Sequence, residues 1–243
     1  MQKLESELAF EVKTKLRESV KAELLKQKNL DVHQAILNVC YDHYQNILDS
    51  QNQQLEIAFK PTIRWDYEGL LEITDHDFGS LAWFAIMIGK FNEQVENGGI
   101  EQYWSNKYAS FNYPYKEIYI HANLIRAYNW FKKEFNEFKQ TDELQETVAQ
   151  INDILLEIPE SIKFTISVSL ASFDTNGDRQ DFEDDYCENC LTEDSQDMLE
   201  RLNRRYYRYN EKLMEILNQY FMNYLFDETE QAEIESKIKT TDN

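Results

Sequence analysis

The sequence has few of the residues that turn or cross-link a polypeptide. Its 243 residues include six glycines, three prolines and three cysteines. So few turn residues disfavour a sandwich or barrel of many strands and favour long helices. Three cysteines are too few for a disulfide framework, which indicates a reducing compartment.

Long apolar runs are also missing. No stretch approaches the roughly 20 apolar residues of a transmembrane helix, and the first residues lack the apolar core of a secretory signal. We therefore expect a cytoplasmic protein. Hydrophobic residues still make up 42% of the sequence, which is enough to bury a core. The expected fold is mainly α, a multi-helix orthogonal bundle.

Positive charge is scarce as well. The chain has 25 Lys and Arg against 45 Asp and Glu, which gives a formal net charge of −20. A chain of this sign is repelled by a phosphate backbone and by anionic lipids, so neither nucleic acid nor a membrane is an expected direct ligand. A basic protein partner would be attracted.

Apolar residues at intervals of three and four predict that most of the chain is helical. A helix over residues 2–28 is followed by one that begins after Asp31, a suitable N-cap, and ends at the polar run 51–54. Later helices are predicted around Leu124 to Phe138, over 141–159, and along the seam Leu199, Leu202, Tyr206, Tyr209, Leu213, Ile216 and Tyr220. This seam is expected to pack in the chain's own core or, alternatively, in a homodimer.

Two short segments alternate between apolar and polar residues instead. Residues 57–65 and 162–170 would pair as one small two-stranded ribbon, unless their helical neighbours override so short a pattern. We expect an N-terminal helical extension over residues 1–60 packed on the core, a helical domain over 61–226, and a short C-terminal helix and tail over 227–243.

Two of the six glycines stand side by side in the motif Asn97-Gly98-Gly99. Periodic apolar residues precede the motif up to Val95, and a second periodic segment starts at Ile100. Asn and Gly tolerate positive φ, so the pattern predicts that a helix ends at Asn97 in a sharp corner between two helices. The motif residues Asn97, Gly98, Gly99, Gln102 and Tyr103 are therefore expected to have a structural role.

The string from Asn97 to Tyr103, closed by Asn106, also resembles a known family. Together with a second string, Leu202-Asn203-Arg204-Arg205-Tyr206-Tyr207, it is similar to the family typified by DNA mimic protein 19, whose members are acidic helical bacterial and phage proteins. The matching parts span roughly residues 65–225, and they depart from the family at Ile100 and at Tyr103-Trp104, where phenylalanines are more usual. The resemblance implies a non-enzymatic protein that occupies the nucleic-acid site of a basic DNA-binding protein, such as a repressor, a nuclease or a nucleoid protein.

The acidic charge is concentrated near residue 180. Residues 171–197 alone carry a net charge of −9. Carboxylates there would stand in for phosphates and meet the Lys and Arg of a partner. The expected partner-binding residues are Asp174, Asp178, Asp181, Glu183, Asp184, Asp185 and Glu188.

Two other interpretations of this segment stay open. Ser172, Asp174, Asn176, Asp178, Gln180 and Glu183 fall on the ligand positions of an EF-hand calcium loop, with Gly177 at the sixth position. Against calcium, Ser172 replaces the usual Asp and Arg179 occupies a position where an aliphatic residue is expected. The segment is otherwise a solvated loop, or one paired with the chain's own Arg201, Arg204, Arg205 and Arg208.

Other reactive residues form no convincing catalytic or metal site. Cys187 and Cys190 have zinc-like spacing but lack a clear set of further ligands. The triplet Asp75-His76-Asp77 has no nucleophile motif near it and is expected in a cap or a loop, and His43 is expected to be a satisfied core histidine. We expect no catalytic residues and no cofactor.

Overall fold

The computed structural model describes residues 2–57, 67–105, 116–136, 141–158 and 193–241. These ranges form seven helices: α1 (Gln2–Gln27), α2 (Val32–Ile57), α3 (Tyr67–Ser105), α4 (Lys116–Asn136), α5 (142–158), α6 (Glu193–Leu225) and α7 (Glu228–Thr241). No strand occurs within these ranges. The prediction of a mainly α, multi-helix bundle is confirmed.

The chain divides into two compact units. The first comprises Met1–Gly89 and Glu215–Asn243, and the second comprises Lys90–Met214. Helices α3 and α6 therefore contribute to both units. The predicted domain boundaries near residues 60 and 226 do not coincide with this division and stay a prediction.

The first unit is built on the apolar faces predicted for α1 and α2. Leu16, Val20 and Leu24 of α1 are buried, and α1 packs on α2. The N-cap of α2 is also as predicted, since Oδ1 of Asp31 accepts a hydrogen bond from the Gln34 N–H at 2.9 Å. The predicted end of α2 at residues 51–54 is wrong. The helix continues to Ile57 because its polar residues lie mainly on the exposed side, where Gln and Asn cost a helix little.

The second unit has a core of aromatic and aliphatic residues from α4, α5 and α6. Leu199, Leu202, Tyr206 and Leu213 of the predicted α6 seam are at most 3% exposed. They pack in the chain's own core, so this part of the seam is not available to a second copy. The matching buried residues of α4 are Leu124, Tyr128, Phe131 and Phe135.

The predicted corner at Asn97 is not formed, and this expectation is wrong. Helix α3 runs from Tyr67 to Ser105 through the whole Asn97-Gly98-Gly99 motif. The left-handed conformation expected at Asn97-Gly98 occurs instead at Gly99, whose φ is 81°. One left-handed glycine distorts the helix locally without ending it, because neighbouring side chains bind the displaced backbone groups, as described below.

The two predicted ribbon segments lie outside the described residues, apart from Ile57, which is the last residue of α2. Within the described ranges, every helix is either too short or too polar to cross a lipid bilayer.

Candidate functional site

The helix α5 has the highest density of negative charge among the described helices. Residues 142–158 include five acids and no Lys or Arg. Asp142, Glu143, Glu146 and Asp153 are exposed, whereas the opposite side of the helix is buried through Val148, Ile151, Ile154, Leu155 and Ile158. The second unit thus presents a row of ordered carboxylates to solvent.

Contacts from α4 and α6 fix the position of α5. The Glu157 carboxylate accepts hydrogen bonds from Nη1 of Arg205, with both oxygens 2.7 Å from the donor. The hydroxyl of Tyr128 donates to the Val148 carbonyl at 3.1 Å. Nε2 of His121 donates to the Leu155 carbonyl at 2.7 Å. The contacts of Tyr128 and His121 hold the buried side of α5, whereas Arg205 binds Glu157, which follows Asp153 by one turn on the charged side.

The predicted partner-binding residues do not include those of α5. The signal that would have found them is the absence of Lys and Arg from residues 142–158, in a helix whose apolar positions are spaced by three and four. The predicted residues Asp174, Asp178, Asp181, Glu183, Asp184, Asp185 and Glu188 lie outside the described residues, as does the predicted calcium set of Ser172, Asp174, Asn176, Asp178 and Glu183. Both assignments stay predictions.

The Asn97-Gly98-Gly99 motif lies where α3 meets α6. The N–H of Ile100, directly after the left-handed Gly99, donates to Oδ1 of Asn203 at 2.6 Å. A Cβ atom on Gly99 would lie 2.6 Å from Nδ2 of the same Asn203, which is closer than real side chains allow. A Cβ atom on Gly98 would overlap the side chain of Gln102. Both glycines therefore provide the room in which polar side chains cover the α3 backbone.

The second string of the family resemblance supplies those contacts. Besides Asn203, the Tyr207 hydroxyl donates to the Val95 carbonyl, and the Tyr206 hydroxyl donates to Oδ1 of the buried Asn92 at 2.7 Å. The two strings, about 100 residues apart in sequence, are thus in direct contact. Four of the motif residues make the expected structural contacts, namely Gly98, Gly99, Gln102 and Tyr103. Asn97 is exposed.

Tyr103 connects the motif to the rest of the unit. Its ring packs edge-on against Phe91 at 4.7 Å between centroids, and its hydroxyl lies 3.2 Å from Nδ1 of His121. Nε2 of His121 carries a proton because the Leu155 carbonyl can only accept, so in the neutral ring Nδ1 accepts from the Tyr103 hydroxyl. Burial lowers the pKa of His121 to about 4, only partly opposed by its hydrogen bond to Leu155. This histidine therefore stays uncharged at neutral pH.

No family model matches this chain. No curated protein and no solved structure matches it either. The resemblance to the DNA mimic family consequently rests on the residues of the two strings alone. The functional argument has to be made from the geometry and charge of the described residues.

The second unit also has exposed basic residues, which lie on α6. Arg201, Arg204 and Arg208 are exposed on α6, and Arg204 forms an ion pair with Glu200 at 3.2 Å. Arg205, the fourth predicted partner of the acidic segment, forms an ion pair with Glu157. Pairing of the other three arginines with residues 174–188 would involve residues outside the described ranges.

In the first unit, Asp77 connects three helices. Its carboxylate hydrogen-bonds to Nε2 of His43 and, at 2.7 Å, to Nδ1 of His76, and it lies 3.5 Å from Nζ of Lys15. Partial burial by itself would raise the pKa of Asp77, but the two histidines and Lys15 lower it to about 2. The triplet 75–77 lies inside α3, so its expected place in a cap or loop is wrong. His43 is satisfied, as expected, although it is only partly buried.

Thiol and metal chemistry find no support in the part of the chain that the structure describes. Cys40 is buried, and this raises the pKa of its thiol to about 12, so it is a packing residue. The described ranges contain no cluster of three or more His, Cys, Asp or Glu able to hold a metal ion. Cys187 and Cys190 lie outside these ranges.

Proposed function

We propose that this chain is a non-enzymatic acidic protein that binds a basic DNA-binding protein and occupies the nucleic-acid site of that partner. The observation that supports the proposal most directly is α5. Its exposed side carries Asp142, Glu143, Glu146 and Asp153, and the helix itself contains no Lys or Arg. A row of carboxylates on a packed helix offers Lys and Arg the same charge-assisted hydrogen bonds as a row of phosphates.

The charge density of α5 is comparable to that of one DNA strand. Eleven residues separate Asp142 from Asp153, which corresponds to about 16 Å along a helix. Phosphates of one strand recur about every 3.4 Å of duplex axis, so this length holds about five phosphates. The four exposed carboxylates over the same length come close to that number.

The proposed partner is a repressor, a nuclease or a nucleoid protein. The net charge of −20 would draw such a protein towards the chain, and it would repel nucleic acid and anionic membranes. The predicted partner-binding carboxylates of 174–188 lie between α5 and α6 in the sequence and add to the negative charge that would attract such a partner. The mechanism is competitive occlusion and uses no cofactor.

The test is competition with DNA. Proteins from a lysate of the source organism are captured on the immobilised chain, eluted with sodium chloride and identified. Each captured protein is then purified, bound to a labelled 20-base-pair duplex and titrated with the chain while fluorescence anisotropy is recorded. We expect the chain to displace the duplex.

Two variants assign the displacement to α5. The variant Asp142→Asn/Glu146→Gln/Asp153→Asn is expected to displace the duplex at least tenfold more weakly, equivalent to about 1.4 kcal/mol of binding free energy. The control Asp42→Asn/Asp49→Asn/Glu56→Gln removes three exposed charges from α2 and is expected to change displacement by less than about threefold. Equal losses of displacement in both variants would show that net charge, and not the position of the α5 carboxylates, causes the effect. If the captured proteins include no DNA-binding protein, the proposal is refuted.

A further inference from the structure

The left-handed conformation of Gly99 needs a cause outside α3. Glycine occupies right-handed and left-handed conformations at similar cost, and a right-handed residue would continue the regular hydrogen bonding of the helix. The observed φ of 81° is therefore selected by a contact.

Asn203 is in position to make that selection. Its Oδ1 binds the Ile100 N–H at 2.6 Å, and its Nδ2 occupies the space beside the Gly99 Cα atom. Tyr207, one turn further along α6, binds the Val95 carbonyl on the other side of the distortion. Together these two side chains satisfy one backbone donor and one backbone acceptor of α3.

The conformation of Gly99 determines where the last turn of α3 places its side chains. Tyr103 lies four residues beyond it, and its hydroxyl reaches His121 at 3.2 Å. His121 in turn binds the carbonyl of Leu155 in α5. All of these residues belong to the second unit. A continuous set of contacts thus joins α6, α3, α4 and α5.

We propose that the Asn97-Gly98-Gly99 motif is a positioning device, in which Asn203 holds Gly99 left-handed and thereby sets Tyr103 against His121 and His121 against α5. Its importance for partner binding rests on the proposed function of α5. The positioning of Tyr103 and His121 does not rest on that function, because it is measured in the chain without a partner.

The experiment follows the titration of His121 by NMR spectroscopy in the full chain. The pKa of His121 is about 4 as long as it stays buried between Tyr103 and Leu155. In Asn203→Leu, which has a similar volume but no acceptor, we expect the pKa to rise above about 5, towards its ordinary value of about 6.5. In Asn203→Asp, which keeps the acceptor, it should stay near 4. Gly99→Ala, which disfavours the left-handed conformation and whose Cβ atom would also displace the Asn203 side chain, should raise it as Asn203→Leu does.

A matched control comes from the same helix. Asn218 of α6 accepts hydrogen bonds from the first N–H groups of α2, in the first unit. Asn218→Leu removes an equivalent amide and should leave the titration of His121 unchanged.

The possible outcomes distinguish a failure of the positioning role from a failure of the proposed function. A His121 pKa that stays near 4 in both Asn203→Leu and Gly99→Ala overturns the inference, whatever these variants do to binding. A raised pKa with tenfold weaker displacement of DNA from the partner supports both the device and the role of α5. A raised pKa with unchanged displacement supports the device and contradicts the assignment of the binding surface to α5.

Discussion

Gly99 shows how much depends on a single residue without a side chain. Its φ of 81° is strained for any residue with a Cβ atom, and Asn203 leaves no space for that atom. We expect Gly99→Ala to lower the free energy of unfolding by about 1–3 kcal/mol. Urea denaturation measures the loss.

Gly98→Ala is the appropriate comparison. Gly98 lies in the same motif but has no left-handed φ, and the two atoms nearest to a new Cβ are at the end of the flexible Gln102 side chain, whereas the Gln102 Cβ atom at 2.8 Å requires a small shift of the backbone. Alanine also favours the helix by about 1 kcal/mol over glycine. Gly98→Ala should therefore lower the free energy of unfolding clearly less than Gly99→Ala does. Equal losses would show that the left-handed conformation of Gly99 is not what the motif provides.

His121 should make the fold sensitive to mild acid. Its pKa is about 4 in the folded chain and about 6.5 when exposed. The unfolded chain therefore binds a proton more readily, and this contribution to stability is complete above pH 6.5 and lost as the pH falls towards 4. For this reason we expect the free energy of unfolding to be about 2 kcal/mol lower at pH 5 than above pH 6.5.

Urea denaturation at pH 7.5 and pH 5 tests this, with His121→Phe for comparison. The variant should be less stable at pH 7.5, because Tyr103 and the Leu155 carbonyl lose their partner, but it should lose about 2 kcal/mol less on acidification. Asp77 does not disturb the comparison, since its pKa of about 2 places its contribution at lower pH. An identical pH dependence in both proteins would contradict the assignment.

At the scale of elements, the start of α2 depends on a side chain from a distant helix. Oδ1 of Asn218 accepts from the Val32 N–H at 2.6 Å, and its Nδ2 donates to the Leu30 carbonyl at 3.0 Å. We expect Asn218→Leu to cost about 1–2 kcal/mol, as the loss of a helix cap does. Asp31→Ala removes the local cap to Gln34 and gives a reference value in the same urea experiment. If Asn218→Leu costs much less than Asp31→Ala, the distant contact contributes little to this helix start.

Such contacts mark the limit of what the sequence predicts. The periodicity of apolar residues was sufficient to place α1, α4 and α6, and Asp31 was recognisable as a cap because capping is local. The course of α3 through Gly99 was not predictable in the same way. Local preference at Asn97-Gly98-Gly99 favours a helix end, and the helix persists because Asn203 and Tyr207 bind its backbone from about 100 residues away.

The same limit applies to the candidate site. The acids of α5 are legible in the sequence as a run without Lys or Arg. The sequence does not show which of these acids is paired within the chain. Glu157 is bound by Arg205 whereas Asp142 and Asp153 face solvent, and this difference is determined by packing. Charge counts find an acidic helix, and the fold determines which of its charges a partner can reach.

At the scale of the whole molecule, the net charge of −20 should make salt act in opposite directions on folding and on binding. Screening reduces the mutual repulsion of the chain's own carboxylates, and exposed ion pairs such as Lys237 with Glu233 contribute too little to reverse this. We therefore expect the urea midpoint to rise between about 20 and 200 mM sodium chloride.

Over the same range, the association rate with a captured DNA-binding partner should fall at least tenfold, because steering by opposite charges is screened. Stopped-flow mixing measures the rate, and the α5 variant Asp142→Asn/Glu146→Gln/Asp153→Asn should show a weaker salt dependence than the chain itself. A rate that is independent of salt would show that the acidic surface does not guide the partner, and the proposed mimicry of DNA would lose its physical basis.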